Sequence, residues 1–255
     1  MTEPPETDTT SAKQPAAFPV SPLVGIFIVV LIYFGAGEIG KILFGIVATL
    51  FRLDNSNYSQ FGYTFLVQAL TILFLVLFMR SSKVSFASIG LIKPKLVNFA
   101  AALAGYASYF VLNGIAVIAA TYLFRLDTSQ QQQLGFETVS SVPQLAVTFI
   151  SLVILPPLVE EIVMRGFLFS SLKRGMTVVK AALLTSVLFA VAHLQLGSGA
   201  PPLWLAAVDT FVLSLILCAL RQKTGNLWAG IAVHMLKNFL AFTVIFILPH
   251  TSYRL

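Results

Sequence analysis

The sequence predicts an all-α, polytopic integral membrane bundle of about seven transmembrane helices, in the range six to eight. Hydrophobic residues make up 57% of the 255 positions and charged residues only 10%, against roughly 25% charged in soluble domains. So few charges cannot cover a water-facing surface, which excludes a soluble globular enzyme. The apolar residues fall in long runs, each near the roughly 20 residues that a bilayer crossing requires. Lys and Arg gather in the short loops between those runs, which is the pattern of orientation signals. The net charge of +6 therefore argues for membrane topology, and no nucleic-acid partner is expected.

The elements follow in order. Residues 1–20 carry Pro4, Pro5, Pro15 and Pro19, with Glu3, Glu6 and Asp8 against Lys13. That composition predicts a disordered tail. Its acidic front is unlike a cleaved signal peptide, so the first apolar run reads as an uncleaved signal anchor. Residues 21–255 form one membrane domain. Its first run, about Pro22 to Phe51, exceeds one crossing, and Gly35, Gly37 and Gly40 suggest a tilt or break there. Glu38 and Lys41, three apart, read as a structural pair. Further spans are expected at about Phe61–Met79, Val97–Phe124, Val142–Leu172, Thr177–Leu196, Leu203–Leu220 and Asn226–Leu248.

Arg80, Lys83, Lys93 and Lys95 occupy the second loop, Lys173 and Arg174 the fourth, and Arg221 and Lys223 the sixth. The alternate loops carry only Arg52, only Arg125, or no basic residue. Positive loops stay inside, which places the N-terminus in the cytoplasm and the C-terminus outside. Gln130 to Gln133 read as polar filler of an outer loop, and His250 as an interfacial tail residue. Cys218 is the only cysteine, so neither an intramolecular disulfide nor a cysteine metal cluster is available. No internal repeat is visible.

Ionisable residues inside a span cost about 2.5–3.5 kcal/mol on insertion scales and usually face a cavity or a partner. Here they concentrate in the last four spans: Glu160, Glu161 and Arg165; His193; Asp209; and His234, Lys237 and Asn238. With a rise of about 1.5 Å per residue, measured from the cytoplasmic end of each span, Glu160 lies about 18 Å deep and His193 about 22 Å. On the same scale His234 lies about 12 Å deep and Asn238 about 18 Å. All four fall in the central band of a core about 30 Å thick. Glu161 and Arg165, four apart, share a helix face and can pair. Glu160 points about 100° away from Glu161 and is free to face the bundle interior. His234 and Asn238 form a joined polar face, and Phe189 lies one turn before His193, where its ring can wall off the pocket.

A carboxylate and an imidazole around one water make a general base. An imidazole N–H and an Asn amide N–H supply two donors for a developing oxyanion. The set suggests attack of water on a carbonyl, such as amide hydrolysis. Glu160, His193 and His234 also make a two-His, one-carboxylate set of the kind used by catalytic zinc. The metal-free reading is favoured because it accounts for Asn238 as well.

The ordered motifs E-E-x-x-x-R (Glu160, Glu161, Arg165), F-x-x-x-H (Phe189, His193) and H-x-x-x-N (His234, Asn238) resemble those of the CPBP family of intramembrane proteases. That family includes type II CAAX prenyl endopeptidases and the Abi and bacteriocin-processing proteins. Ile89-Gly90-Leu91 before Lys93-Pro94, and Thr224-Gly225-Asn226-Leu227-Trp228, resemble the family more softly. The resemblance runs from about Phe86 to Asn238, giving an expected catalytic core of about 86–248. It implies that Glu160 and His193 activate a water, that His234 and Asn238 hold the oxyanion, and that Glu161, Arg165 and Phe189 support them.

The expected function is an intramembrane endopeptidase whose cavity opens toward the cytoplasm. Its partners would be the bilayer and a peptide or protein substrate, lipidated or membrane-embedded. A multi-pass protein of a bacterial plasma membrane is expected, with no cofactor favoured and zinc the alternative. A proton-coupled transporter and a non-catalytic immunity or scaffold protein are the competing classes.

Overall fold

Each expected apolar run is a helix in the computed structural model, which describes residues 18–128, 132, 134–136, 138–196 and 201–251. No strand occurs among the described residues. The helices are α1 (Pro22–Phe51), α2 (Asn57–Ser81), α3 (Leu96–Phe124), α4 (Val142–Lys173), α5 (Val178–Ala192), α6 (Trp204–Thr224) and α7 (Trp228–Ile247). Six are long and apolar enough to cross a membrane, and α5 is a shorter apolar helix. The chain is a multi-pass helical membrane bundle.

α1 is one unbroken helix of 30 residues, and its glycines do not break it. At Gly40 the missing side chain admits α2, because a Cβ there would stand 2.7 Å from Val67 Cγ2. Glu38 and Lys41 pair at 2.7 Å on the exposed face of the same helix. Phe18 and Val20, at the end of the expected tail, are packed: Val20 is buried and Phe18 meets the Phe167 ring edge-on. Residues 1–17 lie outside the described residues.

α4 is the central helix, with Val163, Phe167, Leu168, Phe169 and Leu172 fully buried. It contains two π-helical stretches, Ile150–Ile154 and Glu161–Leu168. The first precedes Pro156 and Pro157, and its origin is chemical. Proline has no N–H to donate, so the Leu152 carbonyl loses both its α-type partner at 156 and its π-type partner at 157. Asn238 Nδ2 of α7 donates to that carbonyl instead, at 2.9 Å. This bond ties α7 to α4 directly beneath the site described below.

α5 departs from expectation. The sequence predicts a span from Thr177 to Leu196, whereas the helix has 15 residues and ends at Ala192. The His193 and Leu194 amides tighten onto Ala190 and Val191 carbonyls, and Gln195 takes a left-handed φ of +52°, which stops the helix. At about 1.5 Å per residue α5 reaches only about 22 Å, short of a core of about 30 Å. His193 therefore stands at the end of a helix inside the bundle.

The basic loops meet at one end of the bundle. Lys173 donates to Gln222 at 2.9 Å and Arg174 to the Pro19 carbonyl at 2.8 Å. The two softer motifs of the sequence join at this end as well. Leu227 N donates to the Gly90 carbonyl at 3.0 Å, Asn226 Nδ2 to that of Lys93 at 3.2 Å, and Trp228 Nε1 to that of Ile92 at 2.9 Å. Gly90 has a φ of +84° and lies under the Arg221 guanidinium, 2.5 Å from where a Cβ would sit. Only glycine meets both conditions. At the opposite end, Asn57 Nδ2 donates to the Thr138 carbonyl at 2.9 Å.

Candidate active site

Glu160 and Glu161 lie at the junction of α-helical and π-helical turns in α4. Glu161 points inward, where it and Arg165 are fully buried, and Arg165 Nη1 donates to Glu161 Oε1 at 2.8 Å. His234 Nδ1 reaches the same oxygen at 3.2 Å. The carboxylate presses against the backbone of α7 at Gly230, where an added Cβ would lie 3.0 Å from Glu161 Oε2. The guanidinium lies over the Phe189 ring at 4.3 Å, a cation–π contact. Phe189 is buried and also meets the rings of His193 at 4.5 Å and His234 at 5.9 Å. It stands behind the pocket as packing for both histidines.

Glu160 is separated from this buried pair and faces a cavity of about 230 Å³, whose lining includes Glu160, His193, Asp209, His234, Lys237 and Asn238. Four expected site residues, Glu160, His193, His234 and Asn238, thus line one space from three helices. His234 Nε2 stands 3.8 Å from Glu160 Oε2. Its Nδ1 faces an ion-paired carboxylate, which accepts and cannot donate, so the proton on Nδ1 is fixed and Nε2 is the nitrogen left for the cavity. His193 is oriented in the same way. Its Nδ1 donates to the Phe189 carbonyl at 2.8 Å, so the neutral ring offers a bare Nε2. Asn238 spends one amide N–H on Leu152 and keeps a second.

The cavity differs from expectation in its direction. The lining includes Gln132 and Leu134 from the α3–α4 connection, and Ile245 and Phe246 from the far end of α7. From Trp228 to His234 is about 9 Å along the helix, and to Phe246 about 27 Å. The space therefore runs from mid-bundle toward the end opposite the basic loops, not toward them. α5 ends at Ala192 beside this space, with His193 in its lining. Gln132, expected to be filler, is part of the lining. Gln130, Gln131 and Gln133 lie outside the described residues, as does the side chain of His250.

Asp209, which no motif accounts for, forms the side of the cavity facing α7. Lys237 Nζ pairs with its Oδ2 at 3.0 Å. Tyr109 Oη and Asn113 Nδ2 of α3 donate to Oδ1. The signal in the sequence was an acid in a span with a lysine elsewhere in the last helix; the pairing needed the packing of α3, α6 and α7. Among the described residues, no three His, Cys, Asp or Glu side chains gather as a group able to hold a metal ion. Glu160, His193 and His234, the residues of the zinc alternative, all line this cavity.

Residues 142–240 match the family described as Type II CAAX prenyl endopeptidase Rce1-like. An Escherichia coli relative described as an uncharacterized 24.3 kDa protein is 31% identical over 97 residues, covering 37% of this chain and 42% of that protein. The chain therefore aligns with less than half of that relative's length. No solved structure matches the chain.

Proposed function

We propose that this chain, whose residues 142–240 match the Type II CAAX prenyl endopeptidase Rce1-like family, is an intramembrane endopeptidase working by a glutamate–histidine mechanism. The observation that carries this reading is the convergence of Glu160, His193, His234 and Asn238, from three helices, on one cavity. A water between Glu160 and His193 Nε2 gives a proton to Glu160, and the hydroxide attacks the substrate carbonyl carbon. Negative charge passes to the carbonyl oxygen, which takes hydrogen bonds from His234 Nε2, in the ring form protonated on both nitrogens, and from the free amide N–H of Asn238. The C–N bond then breaks, and Glu160 returns its proton to the leaving amine. General-base catalysis of this kind supplies about 10²–10⁴-fold, and each oxyanion donor about 10²–10³-fold.

Glu161, Arg165 and Phe189 are positioning residues in this scheme. Glu161 fixes the His234 ring through Nδ1, Arg165 anchors Glu161, and Phe189 holds both histidine rings from behind. The substrate is a peptide or a protein segment, lipidated or membrane-embedded, that reaches the cavity within the bilayer.

The test is cleavage of a fluorogenic peptide library by the purified protein in detergent, with and without a zinc chelator. The expected result is cleavage at an unchanged rate after chelation. Activity that disappears with chelator and returns with added zinc overturns the metal-free mechanism.

The orientation follows from the loops. With the basic loops in the cytoplasm of a bacterial plasma membrane, the N-terminus is inside, the C-terminus is outside, and the cavity opens toward the outer face. Cys218 is buried, so a single introduced thiol reports without background. A Gln132→Cys variant in intact cells is expected to react with a membrane-impermeant maleimide. Labelling only after the cells are opened would reverse the orientation.

A further inference from the structure

Of the ionisable groups lining the cavity, Asp209 and Lys237 are the two for which the proposed mechanism has no use. Their construction goes beyond an ion pair. Asp209 is held from two other helices: Tyr109 and Asn113 of α3 saturate Oδ1, and Lys237 of α7 takes Oδ2 at 3.0 Å. The carboxylate is thus fixed in position, and it fixes the lysine in turn. An ammonium has three N–H donors. One is used on Asp209, and the other two have no partner among the described residues. The Lys237 side chain keeps 26% of its surface exposed, in the wall of the cavity. A pair that served only to join helices would be expected to bury its ammonium.

Position and charge narrow what those donors meet. Lys237 follows His234 by three residues, so the two share a helix face, about 4.5 Å apart along the axis. An extended peptide advances about 3.3 Å per residue. A chain whose reacting carbonyl rests at His234 therefore brings a neighbouring carbonyl, one or two residues along, to Lys237. Asp209 cancels the charge of the ammonium, so the pair offers hydrogen-bond donors without net positive charge. That suits a neutral peptide carbonyl better than a carboxylate.

On the reading of this site as a peptidase, we infer that Lys237, set in place by Asp209, Tyr109 and Asn113, binds a backbone carbonyl of the substrate next to the scissile bond. Lys237 is then a substrate-binding residue and the other three are positioning residues.

The experiment takes a peptide cleaved by the wild type, made with a free C-terminal carboxylate and with a terminal amide. It measures kcat, KM and thermal midpoint in detergent for wild type, Lys237→Met, Lys237→Arg and Tyr109→Phe. Expected are a KM raised at least tenfold in Lys237→Met for both peptides, kcat within about threefold, and substantial recovery in Lys237→Arg. Tyr109→Phe, which keeps the ion pair but loosens Asp209, is expected to raise KM by a smaller factor, and it decides the matter should Lys237→Met fail to fold. An unchanged KM in folded Lys237→Met, or in folded Tyr109→Phe where Lys237→Met does not fold, overturns the inference and leaves the pair a helix tie. A loss confined to the free-acid peptide overturns it in favour of a carboxylate site. A wild type that cleaves no peptide overturns the peptidase reading itself, which separates the two failures.

Discussion

Glu160→Gln is expected to cut peptide cleavage by about 10²–10⁴-fold, the range for a lost general base, while the protein folds as the wild type does. The two halves of this expectation have separate structural origins. The amide cannot accept the proton of an attacking water, so the chemical step loses its base. The fold is spared because Glu160 carries none of the buried charge pairing: Arg165 bonds to Glu161, and Glu160's ionisable neighbour His234 stands 3.8 Å away, too far for a hydrogen bond. Glutamine matches glutamate in size, so the cavity wall keeps its shape. The effect should fall on kcat, with KM and thermal midpoint near wild type.

Glu161→Ala should do the opposite and strike stability. Glu161 and Arg165 are both 0% exposed, and removing one partner of a buried pair costs about 3–5 kcal/mol because the other charge is left uncompensated. Arg165 would retain the face of Phe189, and His234 would lose its Nδ1 acceptor. Activity should fall with it, through a loosened His234. Denaturation in detergent measures the stability loss. The double variant Glu161→Leu/Arg165→Met should regain much of it, since apolar replacement of a whole buried pair is often neutral. A Glu161→Ala protein as stable as wild type would show that the buried pair contributes nothing to the fold.

How far the sequence carried these roles differs from residue to residue. Glu161 and Arg165 were legible as a pair because four-residue spacing fixes a shared helix face, and the pairing survives the local change to π-helical turns. The convergence of Glu160, His193, His234 and Asn238 was legible from depth and helical phase, because apolar runs in a bilayer start and stop at known levels and a helix turns about 100° per residue. What sequence could not carry was anything set by contact between distant segments. The end of α5 at Ala192 depends on backbone tightening at Ala190 and Val191, and hydropathy, which continues through Leu196, gives no sign of it. The direction of the cavity, away from the basic loops, rests on the distant segments that line it, Gln132, Leu134 and Phe246 among them. Asp209 acquires its meaning from Tyr109, Asn113 and Lys237, on two other helices. Asn238 has a second duty at Leu152, visible only once Pro156 and Pro157 are seen to strip that carbonyl of its own donors.

Peptide-bond hydrolysis in the cavity beside Glu160 is read by mass-spectrometric mapping of a peptide library after incubation with purified wild type and Glu160→Gln at matched thermal midpoints. New peptide ends are expected in the wild-type digest that are absent, or reduced at least a hundredfold, with Glu160→Gln. Equal cleavage by the two proteins, or none by a folded wild type, would contradict hydrolysis in that cavity.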